Sequence, residues 1–359
     1  LAAKIVVTLD GGGIRGVLAI VSLKRIDDEL KQWGLRLQDC VDLIGGTSTG
    51  GIAAVMFALL DMPLDKMLEK YFSVADYIFG RTKAPLTSFL FTGAKHSSDR
   101  QRKIYAKVIE EALGNADAKL RDERLTRYAD ADEVRRTSER PFIPMFMVTI
   151  DTQDVREPVI LSSYENGYQE EKHPSTASIT IVDASIATSA APTFFHSLHH
   201  EGHEYIDGGV GFNNPTEIAI KQLKTLYGED AFPHTLLSFG TGLREKNPFK
   251  AACGKRSRFG IRSGVTSMLK MMHTFASMTT DSETIHNRVK DYFHERNLDG
   301  YFRFNIDSLA DIKLDDYKSV GKAVEMSIAY LDQPETQATV VSNYSRSNIS
   351  ITLLTALTM

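Results

Sequence analysis

The chain has 359 residues and a formal net charge of −4, with 42% hydrophobic and 25% charged residues. That size and balance fit one large α/β unit, or such a unit with an extension, and exclude a strongly basic nucleic-acid binder. The two cysteines, Cys40 and Cys253, stand apart without metal-type spacing, which excludes a disulfide framework and points to a reducing compartment.

KIVVTL (4–9) predicts a buried strand, and VLAIVSLKRIDDELKQWG (17–34) an amphipathic helix closed by Gly34. VDLIGG (41–46) predicts a second short buried strand. GIAAVMFALL (51–60) and PLDKMLEKYFSVADYIF (63–79) predict helices, the first apolar on all sides. SSDRQRKIYAKVIEEALG (97–114) reads as an amphipathic helix with a serine cap and a terminal glycine. Residues 115–140 are rich in charge and read as a surface connection. FIPMFMVTID (142–151) and EPVILSSY (157–164) predict neighbouring strands, Val182 to Ala190 a helix, and EYIDGG (204–209) a strand end. TEIAIKQLKTLYG (216–228) predicts a helix and HTLLSFGTG (234–242) a strand running into a loop. From Ser263 onward the pattern is mainly helical.

Strands alternating with helices predict an α/β fold: a mostly parallel central sheet covered on both faces, in three α/β/α layers. The expected division is an α/β domain over 1–262 and a mainly helical C-terminal extension over 263–359, packed on that core. No run reaches the ~18 apolar residues of a membrane span. The uncharged tail ISITLLTALTM is too short, and the first residues do not read as a signal peptide. The expected location is cytoplasmic.

Two glycine-rich motifs follow the first two strands. Gly11, Gly13 and Gly16 in LDGGGIRGVL fit G-x-G-x-x-G, a dinucleotide fingerprint. Asp39 and the acidic residues Asp27 to Glu29 lie near where a ribose-binding acid would fall. On that reading the chain is a nucleotide-dependent oxidoreductase, and GTSTG and DGG are left unexplained. The second motif, Gly46-Thr-Ser48-Thr-Gly50, is G-x-S-x-G between an apolar strand and an apolar helix. There a serine sits on a tight strand-to-helix turn, small neighbours let the chain pass close by, and the helix N-terminus favours developing negative charge.

A serine nucleophile needs a base. His196, His199, His200 and His203 cluster in HSLHHEGH without thiolate companions, and the stretch reads as a polar connection rather than a metal site. Asp207, at a strand end before Gly208 and Gly209, is the better candidate: a desolvated carboxylate takes a proton from serine more readily than an exposed one.

DGGGIRG, GTSTG, SIATSAAPTFF (185–195), DGG (207–209) and LSFGTG (237–242) occur in the order seen in patatin-like phospholipases, and the chain resembles that family from about residue 4 to 242. The resemblance implies the patatin-like fold and a lipid acyl hydrolase of the phospholipase A type. It implies Ser48 as nucleophile and Asp207 as base without histidine, an acyl-enzyme intermediate, and no cofactor or metal. The loop at Gly11, Gly12 and Gly13 becomes the oxyanion hole, with the N–H of Thr49 as a further donor. Arg15 steadies that loop or attracts a lipid phosphate, and Gly46, Gly50 and Gly208 give the close backbone approach.

The expected partner is a phospholipid or membrane surface; no nucleic acid is expected, and the oligomeric state is open. PLTSFLFTGA (85–94) is read equally as a lid or lipid-dipping surface and as a packed loop. LREKNPFKAACGKRSRFGIR (243–262) carries seven basic residues and one acid and reads equally as a solvated loop and as a contact for anionic headgroups or a phosphate-bearing regulator. The same family contains bacterial lipases gated by a cyclic nucleotide, so a nucleotide-activated effector lipase is an alternative, as is a general esterase or neutral-lipid lipase. Met268, Met271, Met272 and Met278 fall at mostly helical spacings and read as core.

Overall fold

A computed structural model describes residues 3–80, 96–121, 143–192, 194–242 and 282–337. Strand β1 (Lys4–Leu9) leads through the glycine loop into helix α1 (Val17–Lys31), and a single turn, α2 (Leu37–Cys40), precedes β2 (Leu43–Thr47). The buried helix α3 (Thr49–Ala58) follows after Ser48, then α4 (Leu64–Phe79) and α5 (Ser98–Leu113). Next come β3 (Met145–Asp151), β4 (Val159–Ser162), α6 (Gly167–Lys172) and α7 (Ile181–Ser189). The hairpin β5 (Leu198–His200) and β6 (His203–Asp207) precedes α8 (Thr216–Tyr227) and β7 (Pro233–Phe239). The described chain closes with α9 (Ser282–His294), β8 (Tyr301–Phe304) and α10 (Val320–Leu331).

The strands form one sheet in the order β5-β6-β3-β2-β1-β7-β8, with β4 also on β3. The run from β3 to β8 is parallel, and β4, β5 and β6 pair antiparallel. Successive side chains of a strand point to opposite faces, and both faces are dry. Val7, Leu9, Ile44, Met145, Met147 and Phe239 pack in one core with α1, α3, α4, α5, α7 and α10. Val6, Leu43, Phe146, Val148 and Leu236 pack in the other with α8 and α9. The result is the three-layer α/β/α architecture with a mostly parallel sheet.

Local signals act as expected at several ends. Gly114 closes α5 in the left-handed conformation at φ 70°. Ser97 holds the N-cap position of α5, but its side chain makes no cap hydrogen bond; its carbonyl accepts from Arg100 N–H instead. HSLHHEGH is not a plain connection: it contains β5, a turn through Glu201 (φ 47°) and Gly202 (φ 84°), and the start of β6. Two successive positive-φ residues give the twist that a tight hairpin needs.

The region expected to be a helical extension contributes β8 to the central sheet, paired parallel with β7 from Leu236↔Tyr301 to Phe239↔Phe304. YFRF was too short and too mixed to read as a strand against a helical background. The expected boundary at 262/263 lies outside the described residues, as do Cys253, residues 85–94, 122–140 and 243–262, the four methionines and the C-terminal tail. Cys40 is buried, and its thiol donates to Arg36 O at 3.3 Å. Among the described residues, no helix is long and apolar enough to cross a membrane.

Candidate active site

Parallel strands β1 and β2 end side by side, with Leu9 opposite Gly46, so the two glycine-rich loops emerge together at the C-terminal edge of the sheet. Ser48 occupies the turn between β2 and α3 at φ 55° and ψ −125°, a conformation that a side chain tolerates only when the surroundings impose it. A Cβ on Gly46 would lie 2.3 Å from the Gly50 backbone, and one on Gly50 would lie 2.3 Å from Leu9 O. Both positions therefore admit no side chain. The Ser48 N–H donates to Thr188 Oγ1 at 3.0 Å, and that hydroxyl donates to Val148 O at 2.6 Å. Thr188 belongs to the SIATSAAP stretch, so this motif anchors the serine backbone from α7.

Asp207 ends β6, where Thr149 of β3 pairs with it. Its Oδ2 accepts from Ser48 Oγ at 2.7 Å, and its Oδ1 accepts from Gly209 N–H at 2.7 Å. The serine and the aspartate, 159 residues apart, are thus directly joined. Burial pushes the Asp207 carboxyl up to about 6, against the hydrogen bonds from Ser48 and Gly209, which lower it. A Cβ on Gly208 would meet Val148 O at 2.4 Å, so this glycine lets the chain turn away immediately behind the carboxylate.

The glycine loop differs from expectation at its first residue. The Gly11 N–H donates to Asn213 O at 3.3 Å, and the Gly11 carbonyl accepts from Thr241 Oγ1 at 2.8 Å. Its amide is turned toward the 208–214 segment, whose backbone passes beside it. The Gly12 N–H makes a long bond, 3.3 Å, to Thr49 Oγ1. Gly13 has φ 57°, and a Cβ there would lie 2.2 Å from Leu314 O. Among the described residues, no acceptor is bonded to the N–H of Gly13 or of Thr49.

The loop is held from several directions. Tyr71 of α4 donates its hydroxyl to Gly13 O at 2.5 Å. A Cβ on Gly16 would meet that hydroxyl at 2.5 Å, so the third glycine of the G-x-G-x-x-G pattern makes room for a tyrosine. Arg15 donates to Ile312 O at 2.6 Å and Ala310 O at 3.0 Å, and Ile14 N–H donates to Leu314 O. Asp10, which opens the loop, is buried against Arg303 of β8 in a two-pronged pair at 3.1 and 2.7 Å. Arg303 also donates to Ser238 Oγ at 2.9 Å.

Of the acids expected for a ribose, buried Asp27 accepts from Leu37 N–H at 2.8 Å and pairs with Lys31, and Asp28 pairs with Lys24. Sequence reading named Ser48, Asp207, the glycines, Thr49 and Arg15, and did not name Thr188, Asn213, Thr241, Tyr71 or Arg303 as parts of the site. The signal for the last was available: Asp10 directly follows an apolar strand, and a buried carboxylate requires a partner.

A family model, Patatin-like phospholipase, matches residues 7–220. Patatin-like protein 2 of Arabidopsis thaliana is 28% identical over 365 residues, covering 91% of this chain and 79% of that protein. Calcium-independent phospholipase A2-gamma of Oryctolagus cuniculus is 25% identical over 320 residues, covering 88% of this chain but only 36% of that protein's length. The crystal structure of VipD from Legionella pneumophila aligns at 14% identity and a TM-score of 0.36, covering 90% of this chain and 67% of that one. With more than half of its length matched by the family model, the chain belongs to the patatin-like phospholipase family.

Proposed function

We propose that the protein is a lipid acyl hydrolase that cleaves fatty-acyl esters of phospholipids at a membrane surface, with Ser48 as nucleophile and Asp207 as base. The observation that carries this reading is the 2.7 Å hydrogen bond from Ser48 Oγ to the buried Asp207 carboxylate. No histidine takes part in it.

Ser48 Oγ attacks the acyl carbonyl carbon while its proton passes to Asp207 Oδ2. The carbonyl oxygen takes up the negative charge. The N–H groups of Gly13 and Thr49, aimed from the loop and from the first residue of α3, receive it, and Gly12 joins them by exchanging its long bond to Thr49 Oγ1. The α3 N-terminus adds a favourable field. The tetrahedral intermediate collapses, the C–O bond to the lysolipid breaks, and Asp207 returns its proton to the leaving oxygen. Water then attacks the acyl-enzyme, giving its proton to Asp207, and a second collapse frees the fatty acid and restores the serine proton. Arg15 and Asp10 act on the loop that carries these donors and not on the substrate.

The raised Asp207 pKa gives this chemistry a pH signature. Only the ionised carboxylate is a base, so kcat/KM on a water-soluble short-chain ester is expected to rise with pH through about 6 and level off above it. A limb centred near 4 would mean that the base is not a desolvated carboxylate.

Thr188 is expected to act through the serine backbone. Thr188→Val keeps the shape but removes both hydrogen bonds, leaving the Ser48 N–H and Val148 O unpaired at a cost of about 1–3 kcal/mol. A lowered kcat with KM near wild type is expected, since the nucleophile shifts while the acyl pocket stays. A change in KM alone would contradict this role.

Fatty-acid release from mixed phospholipid vesicles tests the function, comparing wild type with Ser48→Ala and including a short-chain ester. Release that disappears in the variant supports a serine phospholipase. Serine-dependent cleavage of the short ester without vesicle hydrolysis would favour an esterase, or a lipase awaiting an activator such as a cyclic nucleotide. The absence of serine-dependent turnover on either substrate would overturn the proposal.

A further inference from the structure

Away from the dyad, two imidazoles from separate parts of the sequence converge on one carboxylate oxygen. Asp151 ends β3 with its side chain only 2% exposed. Its Oδ1 accepts from Gln153 N–H at 3.0 Å, which turns Oδ2 away from the strand end. His203, the first residue of β6, places Nδ1 at 2.6 Å from Oδ2. His173, immediately after α6, places its own Nδ1 at 3.6 Å from the same oxygen. That nitrogen is buried and has no hydrogen-bond partner among the described residues. One donor atom from each residue can be chosen so that all lie within 4.8 Å of one another, the only such group among the described residues.

A proton explains part of this geometry. It joins Asp151 to His203, but it leaves a second imidazole nitrogen aimed at the same oxygen, too far for a hydrogen bond and shut off from water. Burying such a nitrogen unpaired is unfavourable. A cation between the three atoms satisfies all of them. Metal–ligand bonds of about 2.0–2.2 Å in a tetrahedron place neighbouring donor atoms roughly 3.3 Å apart. The observed 2.6 and 3.6 Å lie on either side of that spacing, and with all three donor atoms within 4.8 Å of one another a closing movement of the two rings completes the set.

The ligand chemistry selects the metal. Two imidazoles and one carboxylate suit zinc and its neighbours, whereas calcium and magnesium favour all-oxygen sites. His173 and His203 keep 17% and 24% of their side chains exposed, so the site lies at the margin of the core, where small ring movements open it to an ion. The rings are also oriented. His203 lies nearly parallel to Tyr205, with centroids 6.0 Å apart, and the His173 backbone is fixed by its N–H to Gln169 O and by Thr176, which donates to its carbonyl.

We infer that Asp151, His173 and His203 form a binding site for one divalent transition-metal ion, zinc(II) in chemical class, with a structural role. The site ties the end of β3, the β5–β6 hairpin and the chain after α6 to one point. His203 and Asp207 share β6, four residues or about 13 Å apart at ~3.3 Å per residue. The ion therefore braces the strand that carries the proposed base and stands apart from the reacting atoms. The inference is independent of the hydrolase reading.

The test uses tag-free full-length protein, stripped with a chelator and titrated with zinc chloride by calorimetry. Cobalt(II) serves as a spectroscopic substitute. The expected result is one zinc per chain, a rise in thermal midpoint with zinc, and a visible cobalt band of tetrahedral intensity. His173→Ala and His203→Ala are each expected to weaken binding by at least about tenfold. His199→Ala, an exposed residue of the same hairpin, is expected to leave it unchanged. The cobalt spectrum of the wild type needs no variant, so it decides the question even if a variant fails to fold. Lack of stoichiometric zinc binding by the wild type, binding unchanged in both variants, or magnesium binding as tight as zinc would overturn the assignment.

Discussion

Ser48→Ala is expected to lower kcat by about four to six orders of magnitude, and Asp207→Asn by at least about three. The double variant is expected to be no worse than Ser48→Ala alone, because residues that act as one unit lose their contribution together. Asparagine is the informative replacement. Its carbonyl can accept from Gly209 N–H as Asp207 Oδ1 does, and its amide can face Ser48 Oγ, so the local geometry survives while the base is removed.

The same substitution carries a stability signature of opposite sign. Asp207 has a folded pKa of about 6 against an ordinary 3.8, so between these values the folded protein binds more protons than the unfolded chain. Stability contributed by the protonated carboxyl is present below about 3.8 and is lost as pH rises through about 6. Above that, the wild type holds a buried charge at a cost on the order of 1–3 kcal/mol. Asp207→Asn is therefore expected to be at least as stable as wild type at pH 8, with the gap shrinking as pH falls toward 4. Denaturant unfolding at the two pH values measures this. An inactive variant that is also unfolded would show that Asp207 holds the fold and would leave its catalytic role without support.

Arg303→Met is expected to cause the largest loss of stability among the site substitutions, about 3–5 kcal/mol, because it leaves the Asp10 carboxylate buried without its partner. The two side chains are 4% and 1% exposed, so solvent cannot stand in for the guanidinium. Asp10 begins the glycine loop, and its displacement moves the N–H groups assigned to the oxyanion, so kcat falls as well. Adding Asp10→Asn to Arg303→Met is expected to recover much of the stability by removing the orphaned charge. A double-mutant cycle in denaturant measures the coupling. Additive effects would mean that the pair is incidental to both the fold and the loop.

These two predictions mark where the sequence was legible and where it was not. KIVVTL, VDLIGG and GIAAVMFALL are each governed by local pattern, and their strands and helix form there with ends displaced by about one or two residues. Ser48 and Asp207 stand out as candidates because the constraints on them are also local: a serine flanked by glycines at a strand-to-helix turn, and an acid before two glycines at a strand end. The support of the site was not local. Gly11 looked like an oxyanion donor from its place in the loop, but the carbonyl that takes its N–H belongs to Asn213. Arg303, Leu314 and Ile312 grip the loop from about 300 residues away, on a segment whose composition read as a helical addition. Its four-residue strand is specified by β7 beside it more than by its own letters. The histidines show the same division. HSLHHEGH drew attention as a cluster, while the residues that meet in space are His203 from that stretch and His173 and Asp151 from two others.

Covalent labelling of the nucleophile tests the central claim most directly. A fluorophosphonate that mimics an acyl ester is incubated with wild type and with Asp207→Asn, and the modified peptide is found by mass spectrometry. The account predicts one adduct on Ser48 in the wild type, forming faster as pH rises through about 6, and labelling slowed by at least about three orders of magnitude in Asp207→Asn. An adduct on another residue, or equal labelling of Ser48 in the two proteins, would contradict it.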